Sequence, residues 1–348
     1  MPIRVNVIMG GPSAEHEVSL KSGREVLKNM DPKRYAVRAV VATRNLKIFF
    51  CDIKKSMPSV EEFASPEKSK RFKGPFEAFA SLPVWKNCDV VFLAVHGSFG
   101  EDGLLQGFLE TIGLRYTGSG VFASAVAMNK IATKFIFEQN GIATPPFAIF
   151  GKGHPETSVA SLEKKFGYPL YVKCPQSGSS RLMARVESRK DLLARLKEYR
   201  PFSPEILIEK EIKGIEFSCP VLEYPDGSNR VLPPVEIRPV ASDYFSFKAK
   251  YEDGGSQEIV PAPRPAKLLK KIQEIALKAH RVLNCSGVSR TDIILGKDRK
   301  LYALELNSLP GLTANSLLPK CFRATGGTYP KLIDVLIQSA LKKPIIKA

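Results

Sequence analysis

The chain has 348 residues, 44% of them hydrophobic, and a formal net charge of +17. This length accommodates two or three domains with buried cores, and because no apolar run approaches the roughly 20 residues of a membrane-crossing helix, a transmembrane protein is excluded. The Lys and Arg residues are spread along the chain without a recognisable nucleic-acid-binding module, which favours a solvated surface, with some attraction for anionic substrates, over nucleic-acid binding.

The first residues and the cysteines both indicate a cytoplasmic protein. Met1–Gly11 has the pattern of a strand that runs into a glycine turn, and it lacks the long apolar core of a signal peptide. The six cysteines are scattered, with no spacing typical of a zinc site. We therefore interpret them as small buried residues of a reducing compartment.

The first part of the chain alternates strands, glycine turns and helices, which is typical of an α/β domain with a parallel sheet. The predicted elements are a strand at Arg4–Met9, a helix at Glu17–Lys28, a strand at Tyr35–Ala42, a buried strand at Asp89–Val95 and a helix that begins near Leu104. Prolines, mixed charge and weak periodicity predict an insertion of uncertain structure at residues 44–88. We assign residues 1–118 to this substrate domain, with its site at the strand ends.

From about residue 119 the pattern changes. A helix is predicted at Val121–Gln139, followed by a strand near Ala148–Phe150, a strand at Leu170–Lys173, a helix at Arg189–Tyr199 and a strand at Ile206–Lys210. The rest is mostly antiparallel in character, with helices at Lys267–Leu283 and Tyr329–Lys342. We predict a central domain at 119–210 and a C-terminal domain at 211–348.

Two alternating runs near the C-terminus, Gly287–Leu295 and Leu301–Asn307, predict a β-hairpin with a polar turn. With the turn centred between Asp298 and Arg299, the opposed pairs are Asp292 with Glu305 and Arg290 with Asn307. Side chains two residues apart share a face of a strand, so all four polar groups point the same way.

Facing carboxylates at Asp292 and Glu305 repel each other unless a cation or a proton lies between them. Hard oxygen ligands of this kind suit Mg²⁺, with water and phosphate oxygens in the remaining positions. The alternative is a solvated polar face on an edge hairpin. The loop that follows, Ser308–Thr313, supplies flexible backbone amides able to bind an anion, which favours the magnesium-phosphate interpretation.

Other polar turns have a functional and an ordinary interpretation. The small residues Gly178–Ser180 follow the strand with Lys173 and could approach a phosphate closely, or form an ordinary turn. Glu209–Glu211 and Glu216 could bind adenine and ribose, or form a charged hairpin. Glu15 lies where a substrate ammonium could bind, or where an acid complements a helix dipole.

His96, between a buried strand and a glycine turn, has a binding role or a core role.

Taken in order, these segments resemble the D-alanine–D-alanine ligases of the ATP-grasp superfamily. The matching stretches are GGPSAEHEVSLKSG (10–23), HGSFGEDGLLQGFLE (96–110), YTGSGVFASAVAMNK (116–130), VKCPQSGSS (172–180), IEKEIKGIEF (208–217), FKAKY (247–251), SRTDIIL (289–295) and LELNSLPGLT (304–313). The resemblance implies an α/β (α+β) protein with three domains, in which ATP lies between the central and C-terminal sheets. It also implies a homodimer that makes D-alanyl-D-alanine for peptidoglycan precursors.

In this family the carboxylate of one D-alanine takes the γ-phosphoryl group of ATP, and the amine of a second D-alanine attacks the acyl phosphate. Positioning and charge neutralisation are then the main work of the protein. The residues that match metal ligands, for two Mg²⁺ ions or Mn²⁺, are Asp292, Glu305 and Asn307. Those that match the oxyanion donors are Arg290 and the backbone of Gly311.

The remaining matches concern ATP and the two D-alanines. The ATP-binding matches are Lys130, Lys173 and Ser180 for the phosphates, Glu209, Lys210, Glu211 and Ile212 for adenine, and Glu216 for ribose. Lys250 matches the γ-phosphate contact. Glu15, linked through Ser179 to Tyr251, matches the group beside the ammonium of the first D-alanine, while His96 matches a site histidine and Ser316 and Leu317 match contacts to the second D-alanine.

The phosphate loop departs from the family pattern. It reads GSSRLM, with Arg181 and Leu182, where the family has roughly GSSxGM, and Cys174 replaces a common proline. Tyr251 is retained, which favours an amine nucleophile and a dipeptide product. Two alternatives remain: the same chemistry with D-serine, D-lactate or another second substrate, and a non-catalytic nucleotide-binding regulatory protein.

Overall fold

The computed structural model describes residues 1–53, 56–178, 182–239 and 256–345, and these contain three β-sheets. The first sheet has the order β4-β3-β2-β1-β5. Its strands are β1 (Ile3–Gly10), β2 (Tyr35–Ala42), β3 (Ile48–Ile53), β4 (Lys73–Phe76) and β5 (Val90–Leu93), and its helices are α1 (His16–Asn29), α2 (Val60–Ala64) and α3 (Leu104–Thr111). β1 pairs in parallel with β2 and β5, as predicted for an α/β unit.

Part of the segment at 44–88 extends this sheet. β3 pairs antiparallel with β2, and β4 pairs antiparallel with β3. β3 begins with four buried residues, Ile48, Phe49, Phe50 and Cys51, so both of its faces are covered. Strict alternation is absent from such a strand, which explains why the periodicity of the sequence did not reveal it.

The second sheet is antiparallel, with the order β6-β9-β7-β8. Its strands are β6 (Phe147–Gly151), β7 (Leu170–Lys173), β8 (Met183–Val186) and β9 (Glu205–Lys210), accompanied by α4 (Val121–Met128), α5 (Lys130–Gln139), α6 (Val159–Phe166) and α7 (Arg189–Tyr199). The helix predicted at 121–139 is therefore two helices. Asn129 between them is extended, and its side chain accepts hydrogen bonds from the amides of Ile131 and Ala132, which caps α5.

The third sheet is also antiparallel and has the order β13-β12-β10-β14-β15, with β11 on β10. Its strands are β10 (Gly214–Glu223), β11 (Asn229–Val231), β12 (Val235–Pro239), β13 (Ser256–Ile259), β14 (Val288–Gly296) and β15 (Leu301–Asn307), with α8 (Ala266–Val282), α9 (Leu317–Ala324) and α10 (Tyr329–Lys342).

One continuous apolar core joins the first and third sheets. It runs from β1 and α1 through the buried face of α10 to β10 and β14. The hydroxyl of Tyr35 on β2 donates to Asp334 on α10 at 2.5 Å, so a polar contact reinforces the packing. This core determines how the carboxyl end of the first sheet faces the third sheet. No helix in the described part of the chain is long and apolar enough to cross a membrane.

A buried histidine in α8 gives the fold a predicted dependence on pH. Nδ1 of His280 lies 2.8 Å from Oγ of Ser289, and burial lowers the pKa of His280 to about 4. In the unfolded chain the pKa is about 6.5, so the unfolded state binds more protons between these values. The free energy of unfolding should therefore fall as the pH drops from about 6.5 to about 4, by roughly 3 kcal/mol.

Denaturant titrations of the wild type and of His280→Asn across this pH range test the prediction. Asparagine keeps a hydrogen-bonding group near Ser289 and does not titrate, so the variant should have a flatter pH profile. Parallel profiles for the two proteins would contradict the assignment.

Candidate active site

A cleft of about 1090 Å³ lies where elements of all three sheets converge. The residues predicted for a site that line it are Glu15, His96, Lys130, Lys173, Glu209, Lys210, Ile212, Glu216, Arg290, Asp292, Glu305, Asn307, Gly311, Ser316 and Leu317. Glu211 does not line the cleft, and its carboxylate pairs with Arg185 at 2.6 Å. Ser179, Ser180, Arg181, Lys250 and Tyr251 lie outside the described residues.

The hairpin of β14 and β15 pairs as predicted at the site. Arg290 lies opposite Asn307, and Asp292 lies opposite Glu305. Next to the turn the register differs by one residue from the predicted one, because Ile293 pairs with Ala303 and a β-bulge separates this pair from Asp292 and Glu305. Leu304 is the extra residue of this bulge, and it restores the register that brings the two carboxylates together.

Arg290 and Ser218 orient Asp292. The guanidinium donates from Nε and Nη2 to the two carboxylate oxygens, both at 2.9 Å, and the Ser218 hydroxyl donates to Oδ1 at 2.5 Å. Ser218 was not predicted as a site residue. It lies on β10 directly opposite Asp292, and only the pairing of β10 with β14 reveals this position.

A lysine balances the second carboxylate of the hairpin, that of Glu305. Nζ of Lys130, at the start of α5, lies 3.5 Å from Oε2 of Glu305. Asn307 accepts a hydrogen bond from the amide of Leu309 at 2.9 Å, which fixes its side-chain oxygen. The two facing carboxylates are therefore held between an arginine and a lysine that also line the cleft.

The donor set of the hairpin fits Mg²⁺. Within the described ranges, no three His, Cys, Asp or Glu side chains are grouped to hold a metal ion. The hairpin instead offers two carboxylates and one amide oxygen. Mg²⁺ is commonly bound by one or two protein carboxylates while water and substrate phosphates fill its other positions, so this smaller set suffices.

Two lysines hold Glu209 at the end of β9. Nζ of Lys173 lies 2.5 Å from its Oε2, and Lys134 pairs with Oε1. Burial opposes the charge of Glu209, but the two lysines outweigh it and lower the pKa of the carboxyl to about 2. Lys134 was not predicted as a site residue. It lies four residues after Lys130, on the same face of a helix, and this spacing could have identified it from the sequence.

At the carboxyl end of the first sheet, His96 is buried between a hydroxyl and a carboxylate. Its Nε2 lies 2.9 Å from Oγ of Ser22, and its Nδ1 lies 3.3 Å from Oε1 of Glu101. Burial opposes protonation of His96, but Glu101 and the nearby Glu15 together raise its pKa. Burial also raises the pKa of Glu101, so the two side chains form a buried hydrogen-bonded pair at the cleft wall.

The start of the phosphate loop lies against Glu15. A Cβ atom added at Gly178 would stand 3.0 Å from Oε2 of Glu15, so the backbone there approaches the carboxylate closely. Gly178, which the sequence predicted to allow close approach of a phosphate, thus has Glu15 as a neighbour. On the opposite side, Ser316 precedes the first turn of α9, where backbone amides favour an anion.

Comparisons with known proteins match two parts of the chain to one family. Residues 4–119 match the family described as D-ala D-ala ligase N-terminus, and residues 136–338 match the one described as D-ala D-ala ligase C-terminus. The chain is 36% identical to a D-alanine–D-alanine ligase of Clostridium beijerinckii, over 98% of this chain and 99% of that protein. It is 34% identical to one of Leptospira biflexa, over 97% and 99%.

Solved structures with similar folds cover nearly the whole chain. The VanG D-Ala:D-Ser ligase from Enterococcus faecalis has a TM-score of 0.85 at 28% identity, with 98% of this chain and 100% of that chain covered. A D-alanine–D-alanine ligase from Bacillus anthracis complexed with ATP has a TM-score of 0.74 at 32% identity, with 98% of each chain covered.

Proposed function

Because the chain belongs to the D-alanine–D-alanine ligase family, we propose that it joins two D-alanines into D-alanyl-D-alanine and converts ATP to ADP and phosphate. The observation that carries this proposal is the hairpin face with Arg290, Asp292, Glu305 and Asn307, which lines one cleft together with the lysines of the second sheet. The product would be a precursor for peptidoglycan.

In this proposal the nucleotide lies between the second and third sheets, within domains at 119–210 and 211–348. Lys130, Lys173 and Ser180 bind its phosphates. The segment Glu209, Lys210, Glu211 and Ile212 contacts adenine, and Glu216 contacts the ribose. For Glu209 and Glu211 such a contact would come from the backbone, since the carboxylate of Glu209 is paired with Lys134 and Lys173 and that of Glu211 with Arg185.

Asp292, Glu305 and Asn307 would hold two Mg²⁺ ions, or Mn²⁺, and the metal would neutralise charge on the phosphates. Their oxygen donors on one strand face support this assignment. Lys250 would add a positive charge beside the γ-phosphate.

The substrate domain, residues 1–118, contributes the site of the first D-alanine. Its ammonium would lie near Glu15 and His96, and the family resemblance implies that Ser179 and Tyr251 act together with Glu15. Its carboxylate attacks the γ-phosphorus, and ADP leaves. The proximity of Gly178 to Glu15 supports this arrangement, because it brings the start of the phosphate loop close to the proposed ammonium site.

The second D-alanine binds at Ser316 and Leu317, where the amides at the start of α9 can donate hydrogen bonds to its carboxylate. Its free amine attacks the carbonyl carbon of the acyl phosphate, then loses a proton, and phosphate leaves. Arg290 and the backbone amide of Gly311 stabilise the oxyanion of the tetrahedral intermediate. We further infer a cytoplasmic homodimer.

The test uses the purified chain with ATP, MgCl₂ and D-alanine. We expect D-alanine to stimulate phosphate release and one dipeptide to form for each phosphate. ATP binding without D-alanine-dependent phosphate release would instead favour a regulatory nucleotide-binding protein.

The similarity to the VanG D-Ala:D-Ser ligase makes D-serine the important competitor. Mixtures of D-alanine with D-serine or D-lactate, analysed by mass spectrometry, determine the second substrate. A mixed product in excess over D-alanyl-D-alanine would contradict the proposed specificity.

A further inference from the structure

Lys134 is a charged residue that the proposed reaction does not use. It lies on α5, its side chain is 1% exposed, and it does not line the cleft. Its Nζ pairs with Oε1 of Glu209 and donates to Oγ1 of Thr144 at 2.6 Å. A lysine is almost never fully buried unless it is paired, so this position requires an explanation.

Glu209 connects Lys134 to the cleft. Its other oxygen, Oε2, lies 2.5 Å from Nζ of Lys173, and Lys173 lines the cleft. The three side chains form a buried cluster of two lysines and one carboxylate. Burial lowers the pKa of Lys134, while the negative charge of Glu209 opposes this shift and favours the ammonium form. If Lys134 were neutral, Glu209 and Lys173 would form a closed pair without net charge.

Further carboxylates make this balance important. Glu216 and Glu305 also attract Lys173 electrostatically, so Lys173 faces negative charge from Glu209 and from both cleft residues. An anionic ligand must compete with these groups for Lys173. A second cation on Glu209 reduces that competition, because it satisfies the carboxylate from outside the cleft lining.

We propose that Lys134 is a positioning residue for nucleotide binding: it neutralises Glu209 and so leaves the positive charge of Lys173 available to a phosphate of ATP. The inference rests on the proposed nucleotide site. It concerns phosphate charge, so it predicts an effect on ADP and ATP that adenosine does not share.

A structural role is the competing explanation, because Lys134 also connects α5 to Thr144 ahead of β6. Loss of such a brace would disturb the whole site and weaken every nucleotide ligand. Two variants separate the roles. Lys134→Met removes the charge with little change in length, and Thr144→Val removes the hydrogen bond while the charge remains.

The measurement is calorimetric binding of ADP with Mg²⁺, and of adenosine, to the full chain. We expect Lys134→Met to weaken ADP binding by about tenfold and adenosine binding by less than about twofold, because the cluster loses one unit of charge near the phosphates. Thr144→Val should leave both affinities within about twofold of the wild type while lowering the melting temperature. The KM for D-alanine should not change in either variant.

A charge-restoring double variant makes the test sharper. In Lys134→Met with Glu209→Gln, Lys173 is the remaining charge of the cluster, so its net charge returns to that of the wild type. ADP affinity should then recover to within about threefold of the wild type. A brace without an electrostatic role predicts no recovery.

Equal losses for ADP and adenosine, or no recovery in the double variant, would overturn the inference. If Lys134→Met does not fold, the double variant is compared with Glu209→Gln. The cluster of Glu209→Gln has one positive charge more than that of the double variant, so Glu209→Gln should bind ADP more tightly. Equal ADP affinities of these two variants would then overturn the inference. A wild type that binds no ADP would overturn both the inference and the proposed function. ADP binding without dipeptide formation would overturn the proposed function alone.

Discussion

Glu305→Gln should lower kcat for dipeptide formation by about a hundredfold or more. Glutamine keeps the size of the side chain and one acceptor oxygen, but it removes the charge that faces Asp292 across the hairpin. The remaining carboxylate and amide would hold a divalent cation more weakly. Lys130, which lies 3.5 Å from Glu305, would also lose its carboxylate partner and keep its hydrogen bond to the Ser177 carbonyl oxygen.

Initial rates measured as a function of Mg²⁺ concentration test this prediction. The half-saturating Mg²⁺ concentration should rise, while metal-free nucleotide binding should persist. Asp298→Asn is the matched control, because Asp298 is on the turn of the same hairpin but does not line the cleft. Its Oδ2 accepts a hydrogen bond from the Tyr302 hydroxyl at 2.7 Å. Equal losses in both variants would show that the fold of the hairpin, and not the charge of Glu305, limits activity.

Arg290→Lys should lower kcat for dipeptide formation by about 10²- to 10³-fold, which is the typical cost of a lost oxyanion donor. Arg290 holds both oxygens of Asp292 through two nitrogen donors, both at 2.9 Å. Lysine retains the positive charge but cannot reproduce this fork, so both Asp292 and the oxyanion would lose a fixed partner.

The second half-reaction should suffer more than the first, because the tetrahedral oxyanion forms only when the amine attacks. Dipeptide formed per ADP released should therefore fall below the wild-type ratio. Arg185→Lys is the control, since Arg185 also pairs with a carboxylate, that of Glu211, but outside the cleft lining. A variant at Arg290 with unchanged coupling between ADP and dipeptide would contradict the oxyanion role.

In the hairpin of β14 and β15, the sequence predicted the correct pairing of the site residues but not the β-bulge that produces it. Alternation and a polar turn predicted that Asp292 faces Glu305, and the structure confirms it. The predicted register was wrong by one residue next to the turn, and the bulge at Leu304 compensates for the difference. Ala303 and Leu306 are both buried although they are three residues apart, which is the local sign of this bulge.

The charge clusters could not be predicted from local sequence. Lys134, Lys173 and Glu209 come from α5, β7 and β9, and Ser218 reaches Asp292 from a strand more than 70 residues earlier. No periodicity reports such contacts, since each depends on the order of strands in a sheet and on the packing of a helix against it.

The main strands and helices outside residues 44–88, the family and the carboxylate face of the hairpin all follow from local patterns. Backbone geometry and side-chain alternation act over a few residues, so the sequence carries them directly. Packing decided the antiparallel strands β3 and β4, the break at Asn129, the bulge at Leu304 and the ionic partners of Glu209 and Asp292. These features depend on which distant segments pack against each other and exclude water from their contact. The free energy of burying their charged groups is therefore determined only when those segments come together.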